Sequence, residues 1–280
     1  VIADVKDAVF IDSIFAKYRP DLIYHAAAYK HVPLMEENPY EATLINVFGT
    51  KVVAEAAIKY HVNKFVMIST DKAVNPTNVM GATKRLAEIF VQSRSSDVTS
   101  FVTTRFGNVL GSNGSVIPLF HKQLALGGPL TVTHKDIIRY FMTIPEATSL
   151  VLEAGAIGHD GDIFVFDMGQ PVKIYDMARN MIRLSKATGV EIKEIGLRPG
   201  EKLYEELLSN KENVIPTEHP KIMHAKVSRY ERSVVDKYME ELHVVLNGCN
   251  PMSIVAKIKE FLPEYISNNS EFSKLDKDSI

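Results

Sequence analysis

The chain has 280 residues, 46% of them hydrophobic and 24% charged, enough to bury one large core or two moderate ones. A formal net charge of -2 leaves no electrostatic footprint for nucleic acid, so an anionic ligand must be held by local Arg and Lys side chains. A single cysteine, Cys249, excludes an internal disulfide and points to a reducing, cytoplasmic compartment, and no run of about 18 apolar residues suggests a membrane span.

In chain order, Asp7 to Tyr18 carries apolar residues at helical spacing, and Asp21 to His25 reads as a strand. His25-Ala26-Ala27-Ala28-Tyr29-Lys30-His31 comes off that strand end. Pro39 to Tyr60 is predicted as one long helix with Pro39 in its first turn. Lys64 to Thr70 reads as a buried strand, Asp71-Lys72 as a polar loop, and the chain resumes as a helix after Asn75, Pro76 and Asn78. Ser100 to Arg105 is a further strand, followed by the Gly/Asn/Ser-rich FGNVLGSNGSVIPLF. Leu130 to Thr133 and Arg139 to Thr143 are expected to be strands of a smaller lobe. Pro145 to Gly155 is predicted helical, Asp162 to Met168 a strand returning to the main sheet, and Ile174 to Ser185 an amphipathic helix. Val190 to Ile195 and GLRPGEKLYEELL precede two late helices, near Val227 to Leu246 and Pro251 to Phe261. Residues 266–280 lack apolar periodicity and are expected to be disordered.

Ligands of open α/β sheets sit beyond the carboxyl ends of the strands, which places Ser69, Thr70, Asp71 and Lys72 where chemistry is done. Met80 and Lys84, four apart on the next helix, share the face that looks back at the same crevice. None of the nine histidines falls in an HxxxH pattern, no Cys-rich ligand set occurs, and no metal is expected.

Ser69-Thr70-Asp71-Lys72 followed by Met80-Gly81-Ala82-Thr83-Lys84 resembles the extended short-chain dehydrogenase/reductases acting on nucleotide sugars, in particular the UDP-N-acetylglucosamine 4,6-dehydratases of retaining type. Most of that superfamily has Tyr-x-x-x-Lys on this helix; here Met80 replaces the tyrosine, and a thioether cannot accept its proton. The resemblance implies a Rossmann-like doubly wound parallel sheet, its N-terminal part missing from this chain, with a smaller C-terminal α/β substrate lobe. No GxxGxxG run is present to cradle a pyrophosphate, so the chain reads as part of a longer protein. The expected division is a partial NAD-binding domain over 1–107, a nucleotide-sugar lobe mainly over 108–265, and the tail.

By the same resemblance, Asp71 is the acid and Lys72 the base of water loss, with a raised pKa expected for Asp71 and a lowered one for Lys72. Thr70 and Ser69 hold the sugar around C4. NAD, rather than NADP, is expected against Asp4, Ala26, Ala27, Ala28, Lys30, Asn46, Ser69 and Lys84. The substrate is expected against Lys30, His31, Asn108, Ser115, Val116, Ile117, Pro118, Thr131 and Thr133. Arg139 and Arg198 are the expected phosphate clamps, with Glu201 on a ribose hydroxyl and Glu36 and Glu37 at the surface. The implied reaction is NAD-dependent 4,6-dehydration of a UDP-sugar for bacterial surface glycan synthesis. A UDP-sugar epimerase and an inactive nucleotide-sugar-binding fragment are the alternatives. A homo-oligomer and a parent protein anchored on the cytoplasmic face of the membrane are expected of such a family.

Overall fold

The computed structural model describes residues 1–94, 98–206 and 213–276, so Leu207 and Leu208 of the predicted loop lie outside the described residues. Its centre is a six-stranded sheet. Leu22–His25, Lys64–Ile68, Ser100–Arg105 and Asp162–Phe166 run parallel in that order, and Ile222–Lys226 and Asn213–Pro216 add an antiparallel edge. The parallel part follows the sequence expectation, and the return of Asp162–Phe166 to the sheet does too. The two antiparallel strands were not foreseen.

Alternation along the strands separates the two faces of the sheet. Phe65, Met67 and Phe101 pack with the helices Ala8–Tyr18, Thr50–Lys59 and Val79–Gln92. Val66, Val102, Phe164 and Phe166 pack with the helix Ile144–Ile157 on the other face. With helices on both sides, Lys64–Ile68, Ser100–Arg105 and Asp162–Phe166 are largely buried, which is why they read as apolar runs, while Leu22 and Tyr24 of the edge strand are exposed.

The helices Arg232–Leu246 and Pro251–Phe261 correct the expected domain division. Their buried residues, Val235, Leu242, Ile254 and Ile258 among them, belong to the same core as Phe65 and Leu86, not to the smaller lobe. Together with the sheet they enclose the helix Val79–Gln92 so completely that every one of its residues is buried. The smaller lobe has its own core of Phe120, Leu130, Val132, Ile137, Ile174 and Ala178, and its strand Leu130–Val132 pairs with Ile192–Glu194.

Two local features depart from the sequence expectation and bear on function. The long helix after Pro39 is interrupted by a π-helical stretch, Leu44–Gly49, a distortion often found beside functional sites. Residues 266–276 of the tail are ordered: Phe272 is fully buried, and Glu271–Leu275 forms a 3₁₀ turn. Residues 266–270 bind two loops at once. Ile266 and Asn268 donate backbone N–H groups to Pro76 and Thr77, while Asn268 and Asn269 donate from their side chains to the carbonyls of Glu201 and Leu197. The tail shows no apolar periodicity because one buried aromatic, Phe272, and a set of polar side chains hold it in place rather than a hydrophobic stripe. Among the described residues no helix is long and apolar enough to cross a membrane.

Candidate active site

The parallel strands end at one cavity of about 470 Å³. Its floor is the segment after Lys64–Ile68. Ser69 and Thr70 stand just past the strand, and Thr70 caps a single 3₁₀ turn, Asp71–Ala73, by accepting a hydrogen bond from the Lys72 amide. The helix Val79–Gln92 then starts at Asn78, whose side chain accepts from the Gly81 N–H at 2.8 Å. Gly81 is required by proximity: a Cβ there would lie 2.1 Å from the carbonyl oxygen of Lys72. Only glycine lets this helix sit against the turn that carries the acid–amine pair.

Asp71 is fully buried and Lys72 nearly so. The Lys72 ammonium donates to Asp71 Oδ1 at 2.9 Å, and the Thr70 hydroxyl donates to the same oxygen at 2.8 Å. Asp71 Oδ2 is buried without a hydrogen-bond partner among the described residues. Lys72 also lies 3.5 Å from Asn108 Oδ1 and 3.5 Å from Glu205 Oε1. Burial alone pushes the Lys72 amine down, but the carboxylates of Asp71 and Glu205 push it up against the opposition of Arg139, and the net shift is upward. The lowered pKa expected from sequence is thereby corrected: a second carboxylate, not foreseen, holds the ammonium charged.

Lys84 is 5% exposed, and no described residue hydrogen-bonds or ion-pairs its ammonium. Burial pushes it down to about 8, with Glu88 one turn away opposing. Glu88 is the anchor beneath the site. Its carboxylate accepts two hydrogen bonds from Arg105, at 2.8 and 2.7 Å, and a third from Arg85 at 3.1 Å. Burial pushes Glu88 up, yet Arg105 and Arg85 overcome this and hold it at about 2.

Of the residues expected at a cofactor, Ala26, Ala28, Lys30, Ser69 and Lys84 line the cavity. Asp4 is exposed, bonded to Lys6, and neither it nor Ala27 reaches the cavity. Asn46, from the π-helical stretch, is fully buried behind the wall. It accepts from Tyr29 N–H at 2.8 Å and donates to Tyr29 O and Thr83 Oγ1, both at 3.0 Å, so it braces the Ala26–His31 loop against the helix of Met80 and Lys84. The small residues on that loop and the unpartnered Lys84 ammonium suit a dinucleotide.

On the opposite wall, His31, Asn108, Ser115, Val116, Thr131, Thr133, Arg139, Arg198 and Glu201 line the cavity as expected of a substrate side. Ile117 and Pro118 do not. Val116 and Leu119, three apart, form the inward face of the helix Val116–Ala125, and Leu119 was missed. Ser115 precedes that helix, its hydroxyl buried and without a partner among the described residues. Arg139 is largely occupied by the protein, donating to the carbonyls of Ile138, Lys202 and Leu203 and approaching Glu201 and Glu205. Glu201 is occupied too: Oε1 accepts from Thr133 Oγ1 and Oε2 from the Arg198 N–H. Arg198 is exposed and lines the cavity.

Glu36 is not at the surface as expected. It is 5% exposed, accepts from Val79 N–H at 2.6 Å, and accepts from Ser270 Oγ, so a carboxylate fixes the helix N-terminus to the tail. Burial raises its pKa, with those two hydrogen bonds opposing.

The chain matches the family described as polysaccharide biosynthesis protein over residues 1–227. It is 58% identical over 247 residues to the capsular polysaccharide biosynthesis protein CapD of Staphylococcus aureus, covering 86% of this chain and 41% of CapD. It is also 41% identical over 215 residues to the UDP-glucose 4-epimerase of Rickettsia massiliae, covering 75% of this chain and 62% of that protein. The X-ray structure of Pen from Bacillus thuringiensis superposes with a TM-score of 0.75 at 38% identity, over 83% of this chain and 73% of Pen. This chain therefore spans less than half the length of CapD. The fold is a Rossmann-like parallel sheet flanked by helices, and the chain belongs to the polysaccharide biosynthesis protein family.

Proposed function

We propose that this chain carries the acid–base half of an NAD-dependent 4,6-dehydratase acting on a UDP-sugar, with UDP-N-acetylglucosamine the substrate that the sequence resemblance favours. One observation supports this above the rest: Lys72 lines the cavity and donates at 2.9 Å to Asp71, which is buried just behind the lining, while the second oxygen of Asp71 has no partner among the described residues. Loss of water from a hexose needs an acid at the C6 hydroxyl and a base at C5. Moving the shared proton from Lys72 to Asp71 turns the ion pair into that acid and that amine.

NAD, when bound, supplies the hydride acceptor at C4 and the donor that returns hydride to C6. Lys84 would hold its ribose and Ala26 and Ala28 admit it to the backbone, with Asn46 keeping that loop in place. Thr70 and Ser69, which line the cavity, would hold the sugar, and Arg198, Lys30 and the N-terminus of the helix Val116–Ala125 would hold the diphosphate.

The test is incubation of the chain, and of a longer protein containing it, with NAD and UDP-N-acetylglucosamine in deuterated water, followed by NMR. Dehydration gives a 4-keto-6-deoxy sugar with deuterium from solvent at C5. A UDP-sugar epimerised at C4 with no loss of water would favour the epimerase reading, to which the Rickettsia relative lends support. Binding without turnover by the longer protein as well would favour a nucleotide-sugar-binding role.

A further inference from the structure

Glu205 has no part in the reaction as proposed above, yet its side chain is only 3% exposed and lines the same cavity. Its two oxygens differ. Oε1 lies 3.5 Å from Lys72 Nζ and 3.6 Å from Arg139 Nε. Oε2 is buried and has no hydrogen-bond partner among the described residues. Nor is its position an accident of a loose loop. Arg139 grips the carbonyls of Lys202 and Leu203, and the Lys202 ammonium donates to Val74 O at 3.1 Å, stitching this stretch to the turn that carries Asp71 and Lys72.

We infer that Glu205 is a positioning residue for the Lys72 amine, and that its free Oε2 accepts a hydrogen bond from a hydroxyl or amide group of the bound hexose. The inference rests on the dehydratase reading and adds the residue that fixes the sugar relative to the amine.

Charge decides which part of the ligand reaches Oε2. Asp71, Glu201 and Glu205 surround Lys72 and Arg139, so an anionic phosphate would meet three carboxylates there. Among the described lining residues, the exposed cations away from these carboxylates are Lys30 and Arg198, while the buried Lys84 lies on the side proposed for the cofactor. A UDP-sugar is thereby oriented, diphosphate to the rim and uncharged hexose to the acid-lined floor. The hexose brings the donors that a buried, unpaired carboxylate oxygen lacks. Lys72 is then held from two sides, by Asp71 on its own turn and Glu205 across the cavity, with Asn108 below and Arg139 as the opposing charge.

The experiment compares Glu205→Gln and Glu205→Asp with the unaltered chain, each checked for folding by circular dichroism. The Lys72 amine is followed by NMR of lysine-labelled protein without any ligand, its resonance assigned with Lys72→Arg. Glu205→Gln should move its titration to lower pH, and Glu205→Asp should restore it in large part. Calorimetry with UDP and with UDP-N-acetylglucosamine gives the second readout. The affinity for UDP should stay within about twofold, because the diphosphate site is separate. The extra affinity gained from the sugar should fall, and turnover of the longer, NAD-loaded protein should fall about tenfold or more. An unchanged Lys72 titration in folded Glu205→Gln overturns the tether. An unchanged ratio of UDP-sugar to UDP affinity overturns the hydrogen bond to the hexose. Neither readout needs turnover, so a protein that makes no 4-keto product would end the dehydratase reading while leaving this inference to be judged on its own result.

Discussion

Replacing Glu88 by glutamine removes the one negative charge between Arg85 and Arg105 while keeping the shape of the side chain. In the folded chain Glu88 is fully buried, Arg105 is 1% exposed, and both carboxylate oxygens are bonded to guanidinium groups. A carboxyl held at about 2 in place of its ordinary 4.5 contributes about 3 kcal/mol of stability at neutral pH. Because the folded pKa lies below the unfolded one, this contribution is complete above about 4.5 and is lost as the pH falls towards 2. Urea unfolding at a series of pH values measures it. The stability gap between the native chain and Glu88→Gln should be about 3 kcal/mol at pH 7 and should shrink steadily below pH 4.5. A gap under about 1 kcal/mol at pH 7, or one independent of pH down to 3, would refute the ion-pair argument. The same change should move the Lys84 amine below about 8, since Glu88 is the group that opposes its burial.

Two further substitutions test the walls of the site. Arg198→Ala should weaken UDP binding by about 1.5 to 3 kcal/mol for each charge-assisted hydrogen bond lost, measured by calorimetry, and an unchanged affinity would remove Arg198 from the diphosphate site. Gly81→Ala places a methyl group 2.1 Å from Lys72 O, so the helix must move away from the turn. It should lower stability by about 2 kcal/mol or more and abolish turnover, and a variant with native melting temperature and activity would contradict the packing described.

The parallel strands were legible because burial on both faces makes them continuous apolar runs, and Ser100–Arg105 and Ile174–Ser185 fall where the pattern put them. The turn at Asp71 and the helix of Met80 were legible through strand–loop–helix order and spacing. Glu205 was not. It stands four residues after Glu201, but periodicity informs only regular elements, and this segment is irregular chain held by Arg139. Glu36 was assigned to the surface because charge is read as exposure, whereas here the start of the helix Val79–Gln92 supplies its hydrogen-bond donor. The same error hid the ordered tail. Its contacts are side-chain amides reaching backbone carbonyls of distant loops, a pattern with no period along the sequence.

Methionine at position 80 sharpens the question of where protons go. Met80 lines the cavity at 4% exposure and offers no proton site, so in the proposed reaction the proton released by oxidation at C4 would pass to another group. Thr70 stands at the head of a continuous set of hydrogen-bonded groups: its hydroxyl donates to Asp71 Oδ1, which also accepts from Lys72. A hydroxyl that already donates to a carboxylate can take a proton from a sugar hydroxyl as it passes its own to Asp71; in the proposed reaction Thr70 and Asp71 would together replace the phenol, and Asp71 would release that proton through Lys72 to solvent before the pair acts in water loss. Thr70→Val keeps the branched shape and breaks this chain. It should reduce the reduction of bound NAD by UDP-sugar about 100-fold, with UDP affinity unchanged, and Thr70→Ser should recover most of the loss. Formation of NADH in a single turnover, read at its absorbance band, isolates this step from water loss. A Thr70→Val protein that reduces NAD within about threefold of the native rate would mean that the proton leaves by water or by Lys72 directly, and that Thr70 serves only to cap the turn.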